Sequence, residues 1–452
     1  MKILSANYVL PISAEPIMDG AVAFEKDQIV AVGTRTEIIE KFPETAVENL
    51  GQSAILPVFV NAHSHLEITA MRGFLDEFDV DFSLWLMTLT KTRTEKLSDE
   101  DVKISAIFGA LEGVRAGVTC FGDIGRLGKA GFEALKVNGL RGVLFQETEF
   151  SPVTATAEAD FAKLKEKFLK LKTQETGLVK IGLSPHAPYT VSRTLFEKIT
   201  DFAIKENIKL TIHAAESNEE EDFMKKGEGF FAELYQKMNL EWNSPQISSI
   251  EYLDKIGVLR AKPLLAHCVK VSAHDIELIA QSDSRIAHCP KSNAKFGHGI
   301  APFEKFLDKK IKTGFGSDSM ASNNTCDILE EARFATLFAR AFPETKRFLS
   351  AKEIIETATL GGAKSLGLEN EIGTLEKGKQ ADIIVVSLEN IAQMPVHDIY
   401  SALLFASNAR DVCLTIVAGE EIYRNGEAQK IDEKELKAKM NEIGKKMNIN
   451  QS

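Results

Sequence analysis

Between Val58 and Gly316 the chain repeats one pattern, a short apolar run rich in β-branched residues followed by a helical stretch, and nothing else limits its fold so strongly. Strands joined by helical crossovers must run parallel, because the crossover returns the chain to the edge from which it left. The runs begin at Val58 to His65 and continue with Val118 to Phe121, Gly142 to Gln146, Lys180 to Ser184 and Lys209 to His213. Pro263 to Cys268, Arg285 to Cys289 and Lys312 to Gly316 complete the set of eight. Helices are predicted between them: one from the capping box Ser98-Asp99-Glu100-Asp101 to about Ala116, stopped by Gly117, and others near 129–138, 157–174 and 193–206. Eight strand-helix units in about 310 residues predict an α/β fold of the (β/α)8 TIM-barrel type rather than an open doubly wound sheet. No Gly-x-Gly-x-x-Gly fingerprint points to a dinucleotide.

The flanks read differently. Ile3 to Leu10, Ala21 to Phe24 and Ile29 to Val32, around the polar turn Lys26-Asp27-Gln28, form a small sheet ahead of the barrel. Beyond Leu368 short strands return at Asp382 to Ser387, Val412 to Val417 and Glu421 to Tyr423, able to pair with the first set, before a charged helix from about Asp432 to Met447. The expected division is therefore 1–56, 57–368 and 369–452. Within the central part, Glu67 to Arg93 reads as a long loop carrying Trp85, and long loops after strands serve sites.

The formal net charge of -11 disfavours a protein that tracks nucleic-acid phosphates, and a small-molecule substrate is expected instead. Five scattered cysteines without Cys-x-x-Cys spacing suggest neither a disulfide framework nor a thiolate zinc site, which fits a reducing cytoplasm. No signal-peptide pattern and no bilayer-length apolar run is present, so no membrane association is expected.

Active sites of such barrels lie at the carboxyl ends of the strands. Those ends supply His63 and His65, His186, His213, His267, His288 and Asp318. The His63-Ser64-His65 pair alone reads more readily as two histidines of a surface loop, and Asp318 alone reads equally as a helix cap. Taken together, imidazoles and a carboxylate around an open position suit a catalytic divalent metal, zinc above all, which lowers the pKa of water to near ~7. Glu216, three residues past His213, offers a carboxylate for proton transfer. His288 reads as a contact or as packing, whereas His274, His298 and His397 read as structural or solvated.

The ordered motifs Pro57-Val58-Phe59-Val60-Asn61-Ala62-His63-Ser64-His65, Ser184-Pro185-His186-Ala187-Pro188-Tyr189, His213-Ala214-Ala215-Glu216, Ala266-His267-Cys268, His288-Cys289-Pro290-Lys291-Ser292-Asn293 and Gly316-Ser317-Asp318-Ser319 cover nearly the whole chain. This set resembles the amidohydrolase superfamily, in the branch of methylthioadenosine/S-adenosylhomocysteine deaminases, guanine deaminases and triazine chlorohydrolases. The resemblance implies one metal per chain on His63, His65, His213 and Asp318, with Zn2+ expected and Fe, Mn or Ni as alternatives. It implies that Asp318 takes the proton of the attacking water, Glu216 protonates the ring nitrogen and His267 orients the water or intermediate. Trp85, His186 and Gln146 become substrate contacts, a small β-sandwich is built from both chain ends, and a homodimer is expected. The reaction implied is hydrolytic deamination of an adenine-like nucleoside.

Two departures bear on the substrate. The glutamate that holds the ribose hydroxyls in adenosine-type members is absent after Trp85, although Glu95 is near, and Gln146 followed by Glu147 stands where an arginine is usual. Phe82-Ser83-Leu84-Trp85-Leu86 with Arg93 behind it is similar to aminodeoxyfutalosine deaminases. Methylthioadenosine, S-adenosylhomocysteine, adenosine and aminodeoxyfutalosine all stay open, as do guanine, pterin or a chlorotriazine as the alternative. A non-catalytic barrel scaffold is disfavoured because every ligand is present.

Overall fold

The structure, a computed structural model, describes residues 1–341 and 347–448. Its first five strands are β1 (Lys2–Val9), β2 (Ile17–Glu25), β3 (Gln28–Thr34), β4 (Val47–Asn49) and β5 (Ser53–Pro57). Eight follow: β6 (Phe59–Ser64), β7 (Val118–Gly125), β8 (Arg141–Glu147), β9 (Val179–Ser184), β10 (Thr211–Ala214), β11 (Leu264–His267), β12 (Arg285–His288) and β13 (Thr313–Phe315). The C-terminal strands are β14 (Ile383–Ser387), β15 (Val412–Val417), β16 (Glu420–Arg424) and β17 (Glu427–Ala428).

β6 to β9 form one parallel sheet in chain order and β10 to β13 a second. Both run as nearly continuous buried segments, the pattern of strands covered on two faces. Single parallel bridges link the two sheets at either seam, Leu183 with Leu210 and Ser64 with Asp318. At the first seam the Leu183 N–H donates to Lys209 O at 3.0 Å, and at the second the Asp318 N–H donates to His63 O at 3.0 Å.

Local chemistry sets the helix limits. Helices occupy Lys129–Asn138 and Arg193–Glu206, and left-handed Gly139 (φ 72°) and Asn207 (φ 53°) end them by turning the chain toward the next strand. Helix Asp99–Arg115 starts on the reciprocal capping box of Ser98 and Asp101. The stretch expected as a loop from Glu67 to Arg93 is instead largely helical, with 3-10 turns at Leu66–Met71 and Asp76–Phe78 and an α-helix at Phe82–Lys96 capped by Asp81.

Both chain ends meet in one nine-stranded sheet, ordered β17-β16-β15-β14-β5-β1-β2-β3, with β4 beside β1. The join is the antiparallel pair of β5 with β14, in which Pro57 lies opposite Ile383 and Ile55 opposite Val385. Arg141, fully buried at the start of β8, ties this sheet to the parallel one: its Nε–H and Nη2–H donate to the two oxygens of Asp382 at 2.8 and 3.1 Å. Among the described residues, no helix is long and apolar enough to cross a membrane.

Candidate active site

The strand ends bring the predicted donors together. His65 Nε2 and His213 Nε2 face each other at 3.1 Å, and Asp318 Oδ1 lies 3.5 Å from His63 Nε2 and 3.6 Å from His65 Nε2. His63, His213 and His267 also have ring nitrogens within 4.8 Å of one another. Asp318, His267 and Ala215 all adopt left-handed backbone angles (φ 57°, 73° and 54°), an uncommon conformation that turns each strand end toward the centre.

This set fits a divalent metal. Four donors around a tetrahedral ion with bonds of about 2.0–2.1 Å stand roughly 3.3 Å apart, close to the spacings above. Neither ring nitrogen of the buried His63 has a hydrogen-bond partner, an arrangement that is costly unless something else engages them. The His213 Nδ1–H donates to His186 O at 3.1 Å, which fixes the tautomer and leaves Nε2 as a lone-pair donor. Ser292 and Ser322 hydroxyls donate to Asp318 Oδ2 at 2.6 and 2.8 Å, leaving Oδ1 turned to the histidines.

Charge follows from burial. Burial, and then the neighbouring His63, push the His65 imidazole down to about 3, and burial with the histidines around it holds His213 well below its usual range. Both are neutral and able to ligate. Burial raises Asp318, but contact with His63 and the charges of His267 and His65 outweigh it, so the carboxylate stays ionised. Glu216 behaves oppositely: burial lifts it to about 7 against the lowering influence of His267. Its carboxylate lies 3.6 Å from His267 Nε2, and the Ala215 and Glu216 N–H groups are held by Glu220 at 2.9 and 2.8 Å. The ring N–H at His267 Nδ1 donates to Asn293 Oδ1 at 2.9 Å, which aims Nε2 at Glu216.

A cavity of about 650 Å³ opens over this cluster, lined in part by Trp85, His186, Glu216 and Glu147. Trp85 is buried against Phe296, with ring centroids 4.8 Å apart. Gln146 does not reach the cavity: its amide is buried and donates to Arg126 O and Glu147 O at 3.0 and 3.1 Å, so at the end of β8 the next residue, Glu147, points inward. Glu147, and not the expected Gln146, therefore lines the cavity at the end of β8. His288 is also away from the cavity, stacked on Phe303 at 5.1 Å.

His298, read as structural or solvated, proves to be a neighbour of the site, with Nε2 buried 3.7 Å from Glu216 Oε1 and its ring edge-on to Phe82. His274 and His397 are exposed. Glu67 is a second residue that sequence reasoning missed. Fully buried behind the cavity wall, it accepts from the Arg93 guanidinium and from the N–H groups of Arg126, Leu127 and Gly128 at 3.1, 3.2 and 2.7 Å. Its donors are distant in sequence, so no local pattern announces it.

The profile described as Amidohydrolase family matches residues 54–422. The chain belongs to the amidohydrolase family. It is 33% identical to a 5-methylthioadenosine/S-adenosylhomocysteine deaminase of Thermodesulfovibrio yellowstonii, over 96% of each chain. It is 30% identical to a 5'-deoxyadenosine deaminase of Methanobrevibacter smithii, over 92% of this chain and 91% of that one. The crystal structure of an adenosine deaminase from Xanthomonas campestris with bound zinc superposes with a TM-score of 0.87 at 26% identity, over 99% of this chain and 98% of that one.

Proposed function

We propose that this amidohydrolase is a metal-dependent hydrolytic deaminase of adenine-like nucleosides, a hydrolase of carbon-nitrogen bonds in cyclic amidines. The observation that carries the reading is the placement of Glu216, a carboxyl group lifted to about 7, between His267 and the cavity floor beside the four-donor cluster. Such a group holds a proton at neutral pH and can release it. The three similar proteins named above are deaminases of adenine nucleosides, which supports the same reaction.

His63, His65, His213 and Asp318 would hold one divalent ion, Zn2+ first and Fe, Mn or Ni as alternatives, in keeping with the zinc of the Xanthomonas structure. Such an ion supplies Lewis acidity, lowering the pKa of water to near ~7. Asp318 accepts the water proton, His267 orients the incoming oxygen and Glu216 protonates the ring nitrogen beside the reacting carbon. The new C–O bond forms, the C–N bond breaks as Asp318 passes the water proton to the amino group, which leaves as ammonia, and the proton of the new hydroxyl returns to Glu216 as the carbonyl forms. His186 and Trp85 contact the base.

The same reading carries the finer points of architecture. The bridges at both seams support one closed (β/α)8 barrel over 57–368. Leu4, Val22, Ile55, Ile383 and Leu414, drawn from both chain ends, share one buried cluster, which supports a small sandwich from 1–56 and 369–452. A cytoplasmic homodimer is the assembly we expect.

Elemental analysis should find one equivalent of divalent metal per chain after dialysis. Two equivalents, or full activity in chelator, would exclude the mononuclear scheme. An ammonia-release screen tests the substrate: adenine nucleosides should exceed guanine, pterins and a chlorotriazine in kcat/KM. Within the nucleosides, the missing glutamate after Trp85 and Gln146 in place of an arginine favour aminodeoxyfutalosine over methylthioadenosine, S-adenosylhomocysteine and adenosine. A chlorotriazine or guanine at the head of the panel would remove the nucleoside assignment.

A further inference from the structure

Glu147 is the one cavity-lining carboxylate that is both buried and left without a partner. Only 9% of the residue is exposed, Oε1 has no hydrogen-bond partner, and the residue forms no ion pair among the described residues. A carboxylate in that state is costly unless a donor arrives from elsewhere. The neighbours do not supply one. A Glu147 oxygen lies within 4.8 Å of ring nitrogens of His186 and His213, but His186 Nδ1 is engaged with Thr190 Oγ1 at 2.8 Å and His213 is held between His186 O and His65. Arg126 also lines the cavity, and its guanidinium makes no hydrogen bond with the described residues, so Glu147 is not locked into a fork with it. Burial lifts its carboxyl to about 7, and the positive charges of Arg93 and Arg126 beside it work against that rise.

We propose that Glu147 accepts hydrogen bonds from the vicinal sugar hydroxyls of the substrate and thereby selects ribonucleosides. This rests on the nucleoside reading above and names the residue that reads the sugar. A carboxylate has two oxygens and accepts from two adjacent donors at once, the geometry that a cis diol offers. It reaches the cavity from the end of β8, rather than from the helix after Trp85. Glu95, the nearer candidate in sequence, lines the cavity but is exposed at the end of helix Phe82–Lys96.

The test compares kcat/KM of the zinc-loaded protein for the best adenine ribonucleoside and its 2′,3′-dideoxy analogue, in wild type, Glu147→Gln, Glu147→Ala and Glu95→Gln. Wild type should favour the ribonucleoside by roughly 100-fold or more, since a buried acceptor rejects an analogue that leaves it unpaired. Both Glu147 variants should lose roughly 10- to 100-fold on the ribonucleoside, mainly in KM, and stay within about 3-fold on the dideoxy analogue. Glu95→Gln should keep the wild-type ratio. An unchanged ratio in the Glu147 variants, or collapse of the ratio in Glu95→Gln alone, overturns the assignment. Loss of zinc from the Glu147 variants also overturns it, because Glu147 would then belong to the metal set. If wild type releases ammonia from no adenine nucleoside, the nucleoside reading itself fails, a result distinct from any of these.

Discussion

Glu216→Gln should lower kcat by ~10²–10⁴-fold while metal content and thermal unfolding stay at wild-type values, the range by which positioned acid-base groups accelerate proton transfer. The amide has nearly the same shape and keeps the contacts of its backbone N–H with Glu220, so the strand end is undisturbed. What it loses is the ability to exchange a proton. Burial lifts the Glu216 carboxyl to about 7, against the influence of His267, so that near neutral pH it is present in both forms. KM should change little, because the proton moves only as the transition state forms. Turnover within a few-fold of wild type, with zinc retained, would remove Glu216 from the reaction and shift the proton-transfer role to His267 or His298, which lie 3.6 and 3.7 Å away.

Much of the fold was legible because each strand is buried on both faces and therefore reads as an unbroken apolar run, while its helices carry their own stop signals at Gly117, Gly139 and Asn207. The convergence of His63, His65, His213 and Asp318 was legible for the same reason: polar residues that interrupt such runs at their ends have nowhere to go but the centre. Helix Phe82–Lys96 was not. Its apolar residues bunch at 82–87 instead of forming a stripe, and threonines at 88, 90, 92 and 94 mimic a strand. Three of them return their hydroxyls to the helix itself, Thr88 to Leu84 O, Thr90 to Leu86 O and Thr94 to Thr90 O, a use that no period reveals.

The residues that orient the site were present in the motifs without their roles. Ser292 and Asn293 lie in the segment that follows His288, yet one holds Asp318 and the other His267 across the centre. His298, between two glycines, has the local character of a loop, and the packing of Phe82 and Phe296 against it holds it near Glu216. Gln146 and Glu147 show the limit of strand reading most plainly. Period-two alternation says that they point opposite ways, but which one faces the cavity depends on register, which β7 and β9 set through pairs such as Gly125 with Gln146 and Gln146 with Leu183.

Arg141→Met should destabilise the fold by about 3–5 kcal/mol, the usual cost of removing one partner from a buried pair. The Arg141 side chain is only 2% exposed and that of Asp382 is fully buried, so the pair has no solvent to fall back on. Arg141 forks onto both Asp382 oxygens and also donates to Glu371 Oε2 at 2.9 Å and Gln380 Oε1 at 3.2 Å. Without it, Asp382 keeps, among the described residues, only the Ala418 N–H, at 2.8 Å, to balance a buried charge. Replacing both partners should cost far less than replacing one, because no uncompensated charge remains. Arg141→Met with Asp382→Leu should therefore recover much of the loss, and Asp382→Leu alone should be as damaging as Arg141→Met. Denaturant midpoints of the four proteins read this directly, with zinc content checking that the site is intact. Loss of less than about 1 kcal/mol in the single variants would mean that the Ala418 N–H and local rearrangement suffice for Asp382. The β8 contact would then be a product of the packing between the nine-stranded sheet and the parallel strands, and Thr415, whose hydroxyl donates to Val114 O at 3.1 Å, would be the next polar tie to test there.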